Sequence, residues 1–178
     1  TSPLVLALTC DGPWVYAGLN GGGVWRSPDY GATWSPARAG LDQLSTFHLL
    51  TSGGNVFAAT WDGVFLSADH GDAWTAAGLQ THGVTALRAF GGALYAGTFD
   101  GQVWRSPDNG ATWSPLGASF APDAVNDIQR VGTLLYAAVY GRGVYRMPEG
   151  SSSWTPVNGG LPELYVQSLA ESGGVLLV

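Results

Sequence analysis

The chain has 178 residues and a net charge of −6, and its seven basic residues are all arginines, scattered at Arg26, Arg38, Arg88, Arg105, Arg130, Arg142 and Arg146. Without a basic cluster it lacks the electrostatic footprint that phosphate-backbone binding needs, which argues against a nucleic-acid partner. No apolar run approaches the roughly 18 residues of a membrane span, the aromatic content argues against disorder, and a single cysteine permits neither an internal disulfide framework nor a Cys-based zinc site.

The chain opens at Thr1 without Met or signal peptide and reads as a mature or excised segment. High glycine (27), eight tryptophans and 11% charged residues suit short strands and tight turns. The first apolar strand carries Cys10, expected to be a small buried hydrophobe. Next come strand signals at 14–18 and 24–26, followed by Ser27-Pro28-Asp29-Tyr30-Gly31-Ala32-Thr33-Trp34. The succession recurs as 56–60, 64–66 and Ser67-Ala68-Asp69-His70-Gly71-Asp72-Ala73-Trp74. It recurs again as 84–89, 94–98, 103–105 and Ser106-Pro107-Asp108-Asn109-Gly110-Ala111-Thr112-Trp113. A fourth round, 125–130, 135–139 and 144–146, ends in the degraded Met147-Pro148-Glu149-Gly150-Ser151-Ser152-Ser153-Trp154, and 166–171 begins a fifth.

The terminal tryptophans of these segments lie 40, 39 and 41 residues apart. A period near 40 fits one four-stranded blade of a β-propeller per repeat. The expected fold is all-β: a propeller of four-stranded antiparallel blades, four complete and the first half of a fifth. The blades cover about 3–41, 42–81, 82–121 and 122–162, with a partial blade at 163–178, all in one segment over 1–178. The chain ends inside strand B of that fifth blade, so closing a ring needs further blades of the same chain or another copy.

Each segment carries its own turn chemistry. Asp29, Asp69 and Asp108 can accept backbone N–H groups as in Asx turns, Ser27, Ser67 and Ser106 can brace the loop, and Gly31, Gly71 and Gly110 suit φ > 0. Trp34, Trp74, Trp113 and Trp154 are expected to drop into the apolar layer of the sheet. In the fourth segment Glu149 is one methylene longer and Ser151 replaces Gly, so that turn must close differently. The segments resemble the Asp-box, or BNR repeat, S-x-D-x-G-x-x-W, of sialidases, sortilin-type receptors, xyloglucanases and photosystem II assembly factors. That resemblance makes the boxes scaffold on the C–D hairpins and puts the B–C and D–A loops on the other face.

Aligned B–C loops are Leu19-Asn20-Gly21-Gly22, Thr60-Trp61-Asp62-Gly63, Thr98-Phe99-Asp100-Gly101 and Val139-Tyr140-Gly141-Arg142. Trp61, Phe99 and Tyr140 occupy equivalent positions, where they can stack on sugar rings or anchor a partner protein, or pack between neighbouring blades. Asp62 and Asp100 can act as acid and base in glycoside hydrolysis or as Asp-Gly turns. Where the resemblance implies a xyloglucanase acid, the chain has Asn20, which cannot be a general base. Arg26, Arg105 and Arg146 are strand C equivalents rather than a converging sialidase triad, and no Phe-Arg-Ile-Pro motif is present. His48 and Asp127 share one offset in strand A of blades two and four, near the expected axis. His48, His70 and His82 have no metal-site spacing, so neither metal nor cofactor is expected, and no catalytic residue is assigned.

These readings favour a non-enzymatic binding module for a protein or glycan partner. The alternatives are a fragment of a secreted glycoside hydrolase, xyloglucanase- or sialidase-like, and an assembly factor for a membrane-bound complex. The resemblance implies a secreted or periplasmic location.

Overall fold

The computed structural model describes residues 4–41 and 44–178, and its regular structure is entirely β. The expected blade starts at 3 and 42 lie outside the described residues. Sheet one comprises β1 (Val5–Asp11), β2 (Trp14–Leu19), β3 (Gly23–Ser27) and β4 (Ser35–Pro36). Sheet two comprises β5 (Thr46–Ser52), β6 (Asn55–Thr60), β7 (Gly63–Ser67) and β8 (Thr75–Ala76). Sheet three comprises β9 (Val84–Phe90), β10 (Ala93–Thr98), β11 (Val103–Ser106) and β12 (Ser114–Pro115). Sheet four comprises β13 (Val125–Val131), β14 (Leu134–Val139), β15 (Gly143–Pro148) and β16 (Thr155–Pro156), and a pair, β17 (Ala170–Ser172) and β18 (Val175–Leu177), follows. Within every sheet the spatial order is the chain order, as in an up-and-down meander.

Local chemistry sets these elements. Strands A and B are joined by glycine turns, Gly53 and Gly54 in sheet two taking φ of 60° and 79°, which L side chains resist. A register shift recurs near the start of strand A, between Val5 and Ala7, Thr46 and His48, and Val125 and Asp127. Such a bulge re-aims the side chains after it.

The chain forms two compact units, the first running through Val84 with Asn109–Ala111, the second holding Thr85–Asp108 and Thr112–Val178. In the first, the core lies between sheets one and two: Tyr16, Val24 and Ala37 meet Leu49, Val56, Ala58, Phe65 and Trp74. In the second, Tyr95, Val103 and Phe120 meet Val125, Ile128, Ala137 and Met147 between sheets three and four. A further cluster puts Val166 and Leu169 against Ala138 and Val144. Each large side chain buried this way contributes about 1.5–3 kcal/mol of transfer free energy. The sheets approach closely: a Cβ on Gly97 would stand 2.7 Å from Val125 Cγ1, and Thr85 Oγ1 donates within reach of both Gly97 O (2.9 Å) and Val125 O (2.5 Å).

Two expectations change. Cys10 is exposed, because β1 keeps much of its surface toward solvent. The last strand A forms only over Ala170–Ser172; Val166 and Leu169 are buried ahead of it rather than within it.

Candidate functional site

In the first box Ser27 Oγ donates to Asp29 Oδ1 at 2.7 Å and accepts from Gly31 N at 2.8 Å. Asp29 also accepts from Thr33 N at 2.8 Å and Thr33 Oγ1 at 2.6 Å. The second box repeats this with Ser67, Asp69, Gly71 N and Ala73 N. In the third, Asp108 accepts from Ser106, Thr112 N and Thr112 Oγ1. The turn runs through two left-handed residues, Tyr30, His70 or Asn109 at φ 56–58° and then Gly31, Gly71 or Gly110 at 89–92°. All three serines are buried.

These bonds favour the charged carboxylate. The Ser27 hydroxyl, then Thr33, hold Asp29 down to about 2, the Ala73 amide leads in lowering Asp69, and the Thr112 hydroxyl leads in lowering Asp108. A depressed folded pKa contributes stability that is complete above the unfolded value, 3.8, and is lost as pH falls through the folded one. The melting temperature is therefore expected to drop between pH 4 and pH 2. Asp69→Asn, which keeps an acceptor but no charge, should melt lower at neutral pH and show a shallower acid slope. Calorimetry across that range checks this, and equal slopes would remove the carboxylates as the cause.

Two of the box tryptophans reach beyond their own hairpins. Trp74 Nε1 donates to Ala37 O at 2.9 Å and Trp154 Nε1 to Leu116 O at 3.4 Å, each reaching the segment just after strand D of the preceding sheet. Trp34 instead donates to Gly31 O of its own turn and is 41% exposed; Trp113 is half-buried. The preceding sheet also grips the second box through strands B and C. The Arg26 guanidinium donates to His70 O at 2.7 Å, pairs with Asp72 and lies over Trp14, and His70 stacks on Trp14 with ring centroids 4.7 Å apart. Burial pushes the Tyr16 hydroxyl, 3.3 Å from His70 Nδ1, up to about 12, so it stays protonated.

In the fourth segment buried Met147 replaces the serine and β15 runs on through Pro148. The turn closes by Ser151 N to Pro148 O at 3.0 Å, with Gly150 at φ 87°. Glu149 points its carboxylate to Arg130 (3.1 Å) and the Tyr95 hydroxyl (3.3 Å) instead of its own turn.

The B–C hairpins of each unit carry the remaining residues singled out above. In the first, Asn20 is exposed and accepts from Ser45 Oγ at 3.1 Å. Trp61 is 48% exposed and sits edge-on to Phe47 at 5.0 Å. Asp62 N donates to Thr60 Oγ1, closing the turn. In the second unit, Phe99 is half-buried, and exposed Asp100 accepts from Thr98 Oγ1. Tyr140 is 50% exposed and packs edge-on against Tyr165 at 5.4 Å. Its hairpin is pinned by Tyr140 N to Ala124 O, Gly143 N to Leu164 O and Asn158 Nδ2 to Arg142 O, each 2.9 Å. Arg142 pairs with Asp123 at 2.5 Å.

Asp127 is brought into a setting that spacing does not disclose. Its side chain is 4% exposed and takes two bonds from Arg88, Nε at 2.9 Å and the terminal nitrogen at 2.7 Å. Ile128 N and Leu169 N, both at 2.8 Å, complete its shell. One carboxylate thus joins β9, β13 and the segment leading to β17. The one available signal was a charged residue at an inward position of an otherwise alternating strand. Tyr165 and Asp123 carry no comparable signal. Among the described residues no group of three or more His, Cys, Asp or Glu could hold a metal, and no helix is long and apolar enough to cross a membrane.

Repeated four-stranded meanders, packed face to face within each unit and closed by a Ser/Asp hairpin in the first three, define the blades of a β-propeller. The solved structures similar to this chain bear out the fold. A crystal structure of an ancestral GH74 enzyme matches with a TM-score of 0.72 at 19% identity, over 87% of this chain and 24% of that one. YCF48 bound to D1 peptide matches at 0.69 and 20%, over 88% and 55%. The extracellular domain of BT4673 from B. thetaiotaomicron matches at 0.78 and 12%, over 95% and 25%. The chain therefore spans about a quarter to about half the length of these proteins. No protein-family model matches the sequence, and no curated protein matches it significantly.

Proposed function

We propose that this chain is a non-enzymatic binding module of the Asp-box propeller kind, with a protein partner taken on its B–C hairpin face. The observation that carries the reading is the Tyr140–Tyr165 pair, in which half-exposed Tyr140, on a hairpin held by three backbone-directed bonds, packs against exposed Tyr165 from the segment between β16 and β17. Tyrosines held this way offer a large contact area at little entropic cost. The Arg142–Asp123 pair adds a polar rim, and likeness to YCF48 bound to D1 peptide favours a peptide as the partner.

A glycan is the second reading. Half-exposed Trp61 suits stacking on a sugar ring, and likeness to GH74 enzymes extends this to a fragment of a glycoside hydrolase. Blades over about 3–41, 42–81, 82–121 and 122–162, with a half blade after them, would be completed into a ring by other blades of the same polypeptide or another copy. Secretion or export to the periplasm accords with the extracellular domain of BT4673.

Titration of the labelled chain by NMR against peptides, xyloglucan oligosaccharides and sialosides tests the module. Peptides are expected to shift Tyr140 and Tyr165. Tyr140→Ala should weaken them at least about tenfold, some 1.4 kcal/mol, without altering the melt. Turnover of a glycoside by this chain would overturn the non-enzymatic reading.

A further inference from the structure

The repeat supplies its own reference for an open site in the second unit. Tyr16 and Arg26 face each other across strands B and C of sheet one, and Tyr95 and Arg105 do so in sheet three. In the first unit the space beside the pair is filled by the second box: the His70 imidazole stacks on Trp14 and meets Tyr16, and Asp72 pairs with Arg26. In the second unit the fourth segment follows at the same spacing, with Gly150 at the sequence position of His70 and Ser152 at that of Asp72, and Ala93 stands at the strand position of Trp14. The aligned positions around this second Tyr–Arg pair thus carry no imidazole, no indole and no counterpart of the Asp72 carboxylate.

What remains is a cavity of about 330 Å³ lined by Tyr95, Arg105, Leu116, Leu135, Glu149 and Gly150. That is the low end of the range for small-molecule sites. Glu149 pairs with Arg130 and takes the Tyr95 hydroxyl rather than bonding Arg105. Among the described residues Arg105 makes one hydrogen bond, from Nε to the Tyr95 hydroxyl at 3.4 Å. A guanidinium short of acceptors recognises a carboxylate in a two-pronged geometry, and Leu116 and Leu135 supply apolar walls for a flat ring.

We infer that this cavity is a binding site for a small aromatic carboxylate, free or as the C-terminal residue of a peptide. The carboxylate replaces Asp72 and the ring replaces the His70 imidazole of the filled counterpart. The site is independent of the Tyr140 hairpin.

Sodium benzoate, benzamide and sodium acetate, titrated into the full chain by NMR, test it. Benzoate is expected to bind with a Kd on the order of 1 mM, and neutral benzamide and ringless acetate at least about tenfold more weakly. Arg105→Gln should reduce benzoate to the benzamide level, and Gly150→His, which refills the slot, should abolish binding. If Gly150→His lowers the melt too far to be read, Arg105→Gln carries the test. Absence of saturable benzoate binding, equal affinity for benzamide, or unchanged affinity in Arg105→Gln would each overturn the inference.

Discussion

Asp127→Ala is expected to cost about 2–4 kcal/mol of stability, because it removes a buried carboxylate that accepts from the half-buried Arg88 and from two amides. Arg88 would lose both acceptor oxygens, and the amides of Ile128 and Leu169 would lose theirs, in a place where Leu169 itself is buried. Asp127→Asn, which retains one carbonyl acceptor, should cost less. Arg88→Met combined with Asp127→Leu should recover part of the loss, since replacing both partners leaves no orphaned charge. Urea denaturation of the wild type, the two Asp127 variants, the double variant and its single components Arg88→Met and Asp127→Leu measures this. Losses in the single variants that add fully in the double would mean that the pair is not coupled.

Trp74→Ala is expected to be at least as damaging, about 3–5 kcal/mol. The indole is 4% exposed, lies in the core between sheets one and two, and satisfies Ala37 O. Trp34→Ala removes the same side chain from the same motif position, yet should cost no more than about 1 kcal/mol, since Trp34 is 41% exposed and bonds only its own turn. Thermal melts of the two variants decide whether the tryptophan acts as a staple between sheets. Equal destabilisation would return it to the role of anchor for its own hairpin.

The position of each box follows from residues near one another in the chain. Ser27, Asp29, Gly31 and Thr33 bond among themselves, so their chemistry is complete within one turn and can be read from the order of letters. Strand alternation and glycine punctuation are local for the same reason. The fourth box was legible as a departure, and Glu149 does turn away; where it turns, to Arg130 and Tyr95, depends on strands paired across β13, β14 and β15.

By itself the sequence determined an all-β chain of propeller blades with a period near 40, because repeat, turn and alternation are all short-range properties. Only tertiary structure decided which side chains meet across sheets. The Trp74 indole reaches a carbonyl 37 positions back, Arg88 reaches Asp127 across 39, and Tyr140 finds Tyr165. Such partners are selected by the stacking of one sheet on the next, which brings equivalent positions of successive repeats together. The spacing within any one repeat does not reveal which of those positions will carry a charge, a ring or an open cavity.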